Sequence, residues 1–317
     1  MKSALMKLLF IFSVLFFLVH NPVSGKTKKN EKVSEQTALK GSLNKVLLFP
    51  VSLKNNKTAY RGFRFPYAWG AGIEGFTFEQ KYVANKLTLH NEIITAYSDS
   101  LTQDITGGGS QVVVRPEIWV LPYLNLYGLV GFAHGYLEPD ITANGINLEI
   151  PYQDTVFTVF VDTTVVINKP TRYNGSVYGF GATAFYAYNG YFVEVDYNYS
   201  EVHPQGMDSK LVSHRFSPRI GKEFTVGKGN NAGAIWFGAS WLEDSQTLTG
   251  VVNVREVAGD LANYIGEEAI YTAAINPVAR WNVSIGGSYT INYHFNFAVE
   301  IGFLQRQKLA VGFMYRF

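Results

Sequence analysis

The chain contains no cysteine among its 317 residues. This absence excludes structural disulfides, thiolate metal sites and a cysteine nucleophile. It also excludes a lipid-anchored lipoprotein, because that class of protein is acylated on a cysteine. The six histidines show no HExxH or other metal-ligand spacing, and no serine lies in a GxSxG motif. We therefore expect no metal, no cofactor and no enzymatic activity.

Charged residues are also few, at 16% against about 25% in ordinary soluble domains. Beyond the N-terminal segment, the sequence has no apolar run of the roughly 18 residues that would suggest a transmembrane helix. Aromatic residues, in contrast, reach 15%, and glycines number 30. Many aromatics and glycines combined with few charges favour a membrane β-barrel over the alternative, a soluble β-sandwich.

The N-terminus predicts a secretory signal peptide. Lys2 and Lys7 precede an apolar stretch over 8–19, and Val23 and Gly25 occupy the −3 and −1 positions of a cleavage site. The alternative is a membrane anchor, but about a dozen apolar residues are too few to span a bilayer. These features divide the chain into a signal peptide (1–25), a lysine-rich basic periplasmic tail (26–64) and a membrane domain (65–317).

From residue 65 onward, apolar and polar residues alternate with period two between turn residues, which predicts strands. Most of them reach the 9–11 residues or so that a tilted strand needs to cross a bilayer. We expect an all-β fold, an up-and-down antiparallel transmembrane β-barrel of about ten strands, with eight or twelve as alternatives. The predicted strands are 69–80, 110–121, 124–136, 172–187, 191–203, 210–226, 232–243, 281–290, 295–304 and 308–317.

The predicted connections fall into two classes. Tight turns follow every second strand, whereas three long connections cover 81–109, 137–171 and 244–280. Short turns at one end and long loops at the other are typical of outer-membrane barrels. An even strand number puts both termini in the periplasm, so we expect the long connections to be large acidic loops outside the cell.

The last predicted strand has one apolar face, made of Leu309, Val311, Phe313, Tyr315 and Phe317. Here the chain resembles the bacterial outer-membrane β-barrel proteins, whose final strand ends in phenylalanine. The resemblance implies location in the outer membrane, with its lipids and lipopolysaccharide as partners. It also implies that the barrel-assembly machinery reads these five residues as a sorting signal. The resemblance extends more weakly over 69–317 and names no activity.

Charges of both signs fall on the predicted inward faces. Glu194 and Asp196 could pair with arginines of the next strand, and Glu300 could pair with Arg316. Such charges either form a polar track for a solute or fill a narrow lumen with salt bridges. A barrel of about ten strands lies near the closed limit, which favours the second interpretation. The predicted lumen network comprises Arg115, Glu117, Glu194, Asp196, Arg215, Arg219, Glu223, Glu300 and Arg316.

Three functions remain open from the sequence. The favoured one is a narrow surface, structural or interaction barrel whose extracellular ligand is unknown, and the alternative is a porin-like channel for small solutes. The third is a barrel enzyme using His134 near Glu138 and Asp140, or His203 near Glu201. Nucleic-acid binding is not expected, because the basic tail lacks interleaved aromatic residues.

Overall fold

The computed structural model describes residues 67–317, apart from 92–93, 122, 153–154, 206–209 and 228–230. The predicted signal peptide and the predicted basic tail therefore lie outside the described residues. Thirteen strands form one antiparallel sheet, which confirms the all-β fold class. No helix in the described part of the chain is long and apolar enough to cross a membrane.

The elements follow one another from the first strand to the last, with three short helical segments before β10. They are β1 (Trp69–His90), β2 (Thr95–Ser98), β3 (Leu101–Leu121), β4 (Leu124–Tyr152), β5 (Thr155–Ile167), β6 (Thr171–Tyr188), β7 (Tyr191–Pro204), β8 (Leu211–Thr225), β9 (Ala232–Asn253), α1 (Val254–Ala258), a 3-10 helix (Gly259–Leu261), α2 (Ala262–Ile265), β10 (Glu268–Pro277), β11 (Trp281–Ile291), β12 (Phe295–Phe303) and β13 (Arg306–Arg316).

Ten strands close into a barrel in the order β1, β3, β4, β6, β7, β8, β9, β11, β12 and β13. The seam joins β13 back to β1, from Gly70 opposite Arg316 to Gln80 opposite Arg306. The predicted number of ten barrel strands is therefore confirmed. Closure leaves no unpaired edge in the barrel wall, which is the requirement for a sheet surrounded by lipid.

The tight turns lie at one end of the barrel, together with the start of β1 and the end of β13; we call it the turn end. The β6–β7 turn shows why these connections are short. Asn189 and Gly190 both have positive φ, at 51° and 80°. Two consecutive left-handed residues make a type I′ turn, whose twist matches that of the flanking strands, and Asn-Gly suits it best.

The three long connections differ from the expected loops, because most of their residues continue the barrel strands or add new ones. β4 alone has 29 residues, which is about 95 Å of extended chain. β10 pairs with the far ends of β1 and β9, above the shorter β11, β12 and β13. β2 and β5 pair with the far part of β4. We call this region, residues 82–109, 137–167 and 246–277, the extension.

The extension encloses an apolar core. Helix α1 contributes to it, because the Asn253 side chain accepts a hydrogen bond from the Glu256 N–H (3.2 Å) and so starts the helix with Val254 turned inward. Several side chains are completely buried, so water is excluded from this end of the molecule. The core residues include Tyr82, Leu87, Leu89, Ala96, Ile105, Ile141, Ile146, Leu148, Val165, Ile167, Leu248, Val254, Tyr271, Ala273 and Ile275.

Two β-bulges place these apolar side chains inside. In β1 the register with β10 shifts between Ala84 and Leu87, so inward positions change from even to odd numbers and Leu87 becomes buried. In β4 the register with β5 shifts between Asn144 and Ile146, at Gly145. Gly145 has φ 74°, a left-handed conformation that glycine adopts without strain. Without these shifts, the alternation would direct polar residues into the core.

Below the extension, the outer face of the barrel is apolar. Trp69, Tyr123, Tyr188 and Tyr191 are exposed at the turn end, where aromatic residues suit a membrane interface. Further up, exposed apolar side chains surround the barrel. They include Ile73, Val112, Val114, Leu126, Val130, Phe132, Tyr178, Phe180, Val193, Ile220, Ile235, Phe237, Ile285, Phe297 and Val311.

Candidate functional site

The lumen of the barrel holds a cavity of about 360 Å³. All nine residues of the predicted lumen network line it, as do Glu74, Tyr127 and Lys308. Tyr293, in the turn between β11 and β12, also lines this cavity, which therefore reaches the turn end. The period-two alternation had placed the nine residues on inward faces, and the structure gathers them around one space.

Near the turn end, Glu117 is bound by two arginines. Arg316 Nε donates to Glu117 Oε1 (2.6 Å), and Arg115 Nη2 lies 3.7 Å from Glu117 Oε2. Arg115 also binds Glu74 (2.7 Å). Gly70 makes the Arg316–Glu117 pair possible, because it lies on β1 between these two residues. A Cβ at Gly70 would come within 3.1 Å of both the Arg316 and the Glu117 side chains.

A second ion-pair cluster crosses the lumen and centres on Glu300. Its carboxylate binds Arg219 (2.8 Å) and Lys308 (2.9 Å), and accepts a hydrogen bond from Trp236 (3.2 Å). Arg219 also binds Glu194, its direct cross-strand neighbour, at 2.5 Å. The expected Glu300–Arg316 pair is wrong, because the register places Glu300 opposite Ala310, next to Lys308 and far along β13 from Arg316.

Asp196 and Arg215 do not form the expected pair either. Asp196 is buried and accepts hydrogen bonds from Tyr127 (3.0 Å) and Thr183 (2.7 Å). Arg215 lies opposite Asn198 on β7, and its guanidinium stands over the Phe76 ring at 5.0 Å. The register of β7 with β8 decides this, because it places Glu194 opposite Arg219, Asp196 opposite Ser217 and Asn198 opposite Arg215.

Four charged residues that line the two cavities are absent from the network predicted from the sequence. Glu74 and Lys308 lie on predicted strands, and Arg306 lies just before one. All three fall on the even-numbered, inward-facing positions of those strands, and this alternation is the signal that could have identified them. Arg306 was placed in a turn, whereas it is the first residue of β13. Asp244 was assigned to a loop because the continuation of β9 was not recognised.

The lumen ends where the extension begins. Tyr82 Oη donates to Asp244 Oδ2 (3.2 Å), and Gln246 Nε2 donates to the same oxygen (2.7 Å). Above this polar layer lies the apolar core, and burial there raises the pKa of Tyr271. A smaller cavity of about 70 Å³ lies just below the layer and is lined by Asp244, Arg215 and Arg306.

The two histidines considered for catalysis are exposed. His134 Nδ1 lies 2.7 Å from Asn174 Oδ1, so its neighbour is an amide and not a carboxylate of Glu138 or Asp140. His203 Nε2 lies 3.1 Å from Glu201, which also binds Lys210 and the Tyr199 hydroxyl. In the described ranges, no group of three His, Asp or Glu side chains is placed to hold a metal ion.

A closed barrel with an apolar outer face and ion pairs inside is the arrangement that a bilayer requires. The chain is a closed antiparallel β-barrel of ten strands. The five residues that resemble a sorting signal lie along β13 and its end. Val311, Phe313, Tyr315 and Phe317 are exposed among them, and Phe313 packs against Phe297 at 4.9 Å between ring centroids.

No family model and no curated protein matches this barrel protein. Solved structures that resemble it include the beta domain of the Bordetella autotransporter Brka, with 12% identity, a TM-score of 0.32 and coverage of 79% of this chain and 100% of that one. An outer membrane channel from Pseudomonas putida F1 has 10% identity, a TM-score of 0.33 and coverage of 83% and 100%. The Ralstonia pickettii toluene transporter TbuX has 7% identity, a TM-score of 0.31 and coverage of 79% and 90%.

Proposed function

We propose that this outer-membrane barrel is a non-conducting surface protein that presents its extension outside the cell as a rigid interaction module. The turn end then faces the periplasm. The observation that supports this proposal is the apolar core of the extension, which lies directly across the upper end of the lumen. An ion would have to leave water and cross completely buried leucine and isoleucine side chains, which is energetically prohibitive.

The ion pairs below the core support the same function. Glu300 with Arg219 and Lys308, and Glu117 with Arg316, join different strands across the lumen. Paired and hydrogen-bonded charges in a narrow lumen hold the wall in one geometry. A rigid wall is what a surface module needs as its anchor, whereas a channel needs a continuous wet path.

Single-channel recording of the refolded protein in planar bilayers tests the proposal. We expect no steady conductance. The variant Arg219→Gln should remain silent too, because the apolar core lies above the ion pairs that it removes. A variant with Leu87→Ser and Leu89→Ser should instead admit ions if the core is the barrier. A stable conductance of the unmodified protein would overturn the proposal in favour of a channel.

The second candidate is a porin-like channel for small solutes, and the lumen cavity of about 360 Å³ favours it. Its lining carries charges of both signs, which would suit a zwitterionic or polar solute. Transport would require the extension core to open, because that core closes the lumen at the end away from the turns. Liposome swelling with small amino acids separates this candidate from the first one.

We propose no catalytic role for His134 or His203. Both side chains are exposed, and each has polar neighbours that suit a structural or interfacial position. His203 belongs to a charged group with Glu201 and Lys210 near the end of β7, and such a group belongs above the hydrocarbon region. The barrel-assembly machinery and lipopolysaccharide stay proposed partners, on the apolar and aromatic face of β13 and on the membrane location.

A further inference from the structure

The small cavity below the polar layer has an excess of positive charge. Its charged lining residues are Arg215, Arg306, Lys308 and Asp244, beside the exposed His134. Arg306 is only 4% exposed and Lys308 is 9% exposed. Three cations therefore share this space with one carboxylate, and of the three only Lys308 takes part in the lumen ion pairs of the described residues, through Glu300.

Two of these cations lack a direct ion-pair contact. Neither Arg215 nor Arg306 forms an ion pair with any carboxylate of the described residues, in contrast to Arg115, Arg219 and Arg316. Arg306 Nη2 and Arg215 Nε are buried, and neither has a hydrogen-bond partner among the residues that the structure describes. Arg306 Nε donates to the neutral Gln80 side chain (2.6 Å), and Asp244 attracts both Arg306 and Arg215 without forming an ion pair with either.

Arg215 also repels the other two cations of the cavity. Arg215 is close enough to Arg306 and to Lys308 to interact electrostatically with both. Lys308 binds Glu300, but Arg219 shares that carboxylate. Asp244 is occupied by hydrogen bonds from Tyr82 and Gln246. Buried like charges with unused donors are costly, and a bound counter-ion removes that cost.

We propose that this cavity binds a small oxyanion, held by Arg215 and Arg306 with Lys308 beside them. Guanidinium groups match oxyanions because their parallel N–H donors meet two oxygens at once. Ser200 and Ser213, which face each other across β7 and β8, add hydroxyl donors to the lining. A volume of about 70 Å³ is room for roughly two waters at ~30 Å³ each, so it suits an inorganic oxyanion and not a sugar or peptide.

The anion enters from the turn end. The small cavity shares Phe76, Gln111, Ser200, Arg215 and Lys308 with the larger one, which reaches the turn at Tyr293. The apolar core closes the opposite route. Binding therefore joins β8 and β13 through a ligand at the seam of the barrel, where β13 meets β1.

Thermal unfolding of the refolded protein in detergent micelles tests this site, with inorganic phosphate as the probe. Ionic strength is held constant with sodium gluconate, whose anion is too large for the cavity. The unfolding midpoint should rise by about 5 °C at a hundredfold excess of phosphate over its dissociation constant, because the anion binds the folded state alone. Arg306→Gln and Arg215→Gln should each lose most of this rise.

Arg316→Gln is the matched control, since it removes a lumen arginine of the same strand that already binds Glu117. It should lower the midpoint and still respond to phosphate. The proposal is overturned if the unmodified protein does not respond, if both site variants respond like it, or if Arg316→Gln loses the response as well. If Arg306→Gln does not refold, the result of Arg215→Gln decides the question. Arg215 Nε has no hydrogen-bond partner among the described residues, so this substitution breaks no hydrogen bond of that atom.

Discussion

The barrel wall and the extension are built from the same strands, yet their interiors have opposite polarity. In the wall of β4, Val130 and Phe132 are exposed on the outside and Tyr127 and Asn125 are buried inside. Further along the same strand, Ile146 and Leu148 are buried inside the extension. The difference follows from how each part is stabilised, because a wall that faces lipid can keep a polar interior, whereas the extension gains stability from burying an apolar core. The kind of side chain that suits the interior is therefore different in the wall half and in the extension half of one strand.

The largest effect should come from placing a charge in the extension core. Leu148 is fully buried, so Leu148→Asp should destabilise the extension by about 4 kcal/mol or more. Limited proteolysis should then cut within the extension while the barrel still migrates as a heat-modifiable band. Thr158→Asp on the exposed partner strand is the control and should stay resistant. Equal resistance of both variants would contradict a water-excluding core.

A second experiment compares two exposed valines, Val130 in the wall and Val156 in the extension, which are 54% and 60% exposed. Val130 lies midway along the membrane-facing part of β4, so Val130→Arg should cost about 2–4 kcal/mol of folding free energy in lipid vesicles. Val156→Arg should change it by about 0.5 kcal/mol or less, because Val156 faces water. Similar costs at the two positions would place both in the same solvent.

The bulge at Gly145 should be sensitive to a single methyl group. Gly145 has φ 74°, and a Cβ there would lie 2.7 Å from the Phe160 ring. Gly145→Ala should destabilise the extension by about 1–3 kcal/mol, measured by hydrogen exchange of the β4 and β5 amides. Gly227→Ala introduces comparable strain, at φ 71°, but at the turn end. It should leave exchange in the extension unchanged, and a change there would remove the distinction between the two regions.

The smallest effect is expected at the turn between β12 and β13, where the wall is shortest. Leu304 has φ 93° and is 71% exposed. Left-handed backbone costs about 1–2 kcal/mol for a residue with a side chain. Leu304→Gly removes that cost against a loss of about 0.5–1 kcal/mol in chain entropy. We expect a stabilisation below about 1 kcal/mol in urea unfolding, and a clear destabilisation would show that the Leu304 side chain packs against lipid.

Local alternation and turn chemistry by themselves determined the barrel. The period-two pattern of β11, β12 and β13 and the Asn189-Gly190 turn set ten strands, their direction and their inward faces. These features act between residues close in sequence, so they can be read without a structure. The same parity directed the nine lumen residues inward, because each strand has one lipid-facing side.

Only the tertiary structure decided the partners of these residues and the existence of the extension. Whether Glu300 meets Lys308 or Arg316 depends on the register between β12 and β13, which alternation does not specify. The sequence does not reveal the extension, because the bulges at 84–87 and Gly145 interrupt its period and because β10 pairs with β1, which is distant in the chain. The unpaired positions of Arg215 and Arg306 likewise emerge when β8 and β13 meet across the lumen, since charge balance there is a property of the assembled barrel.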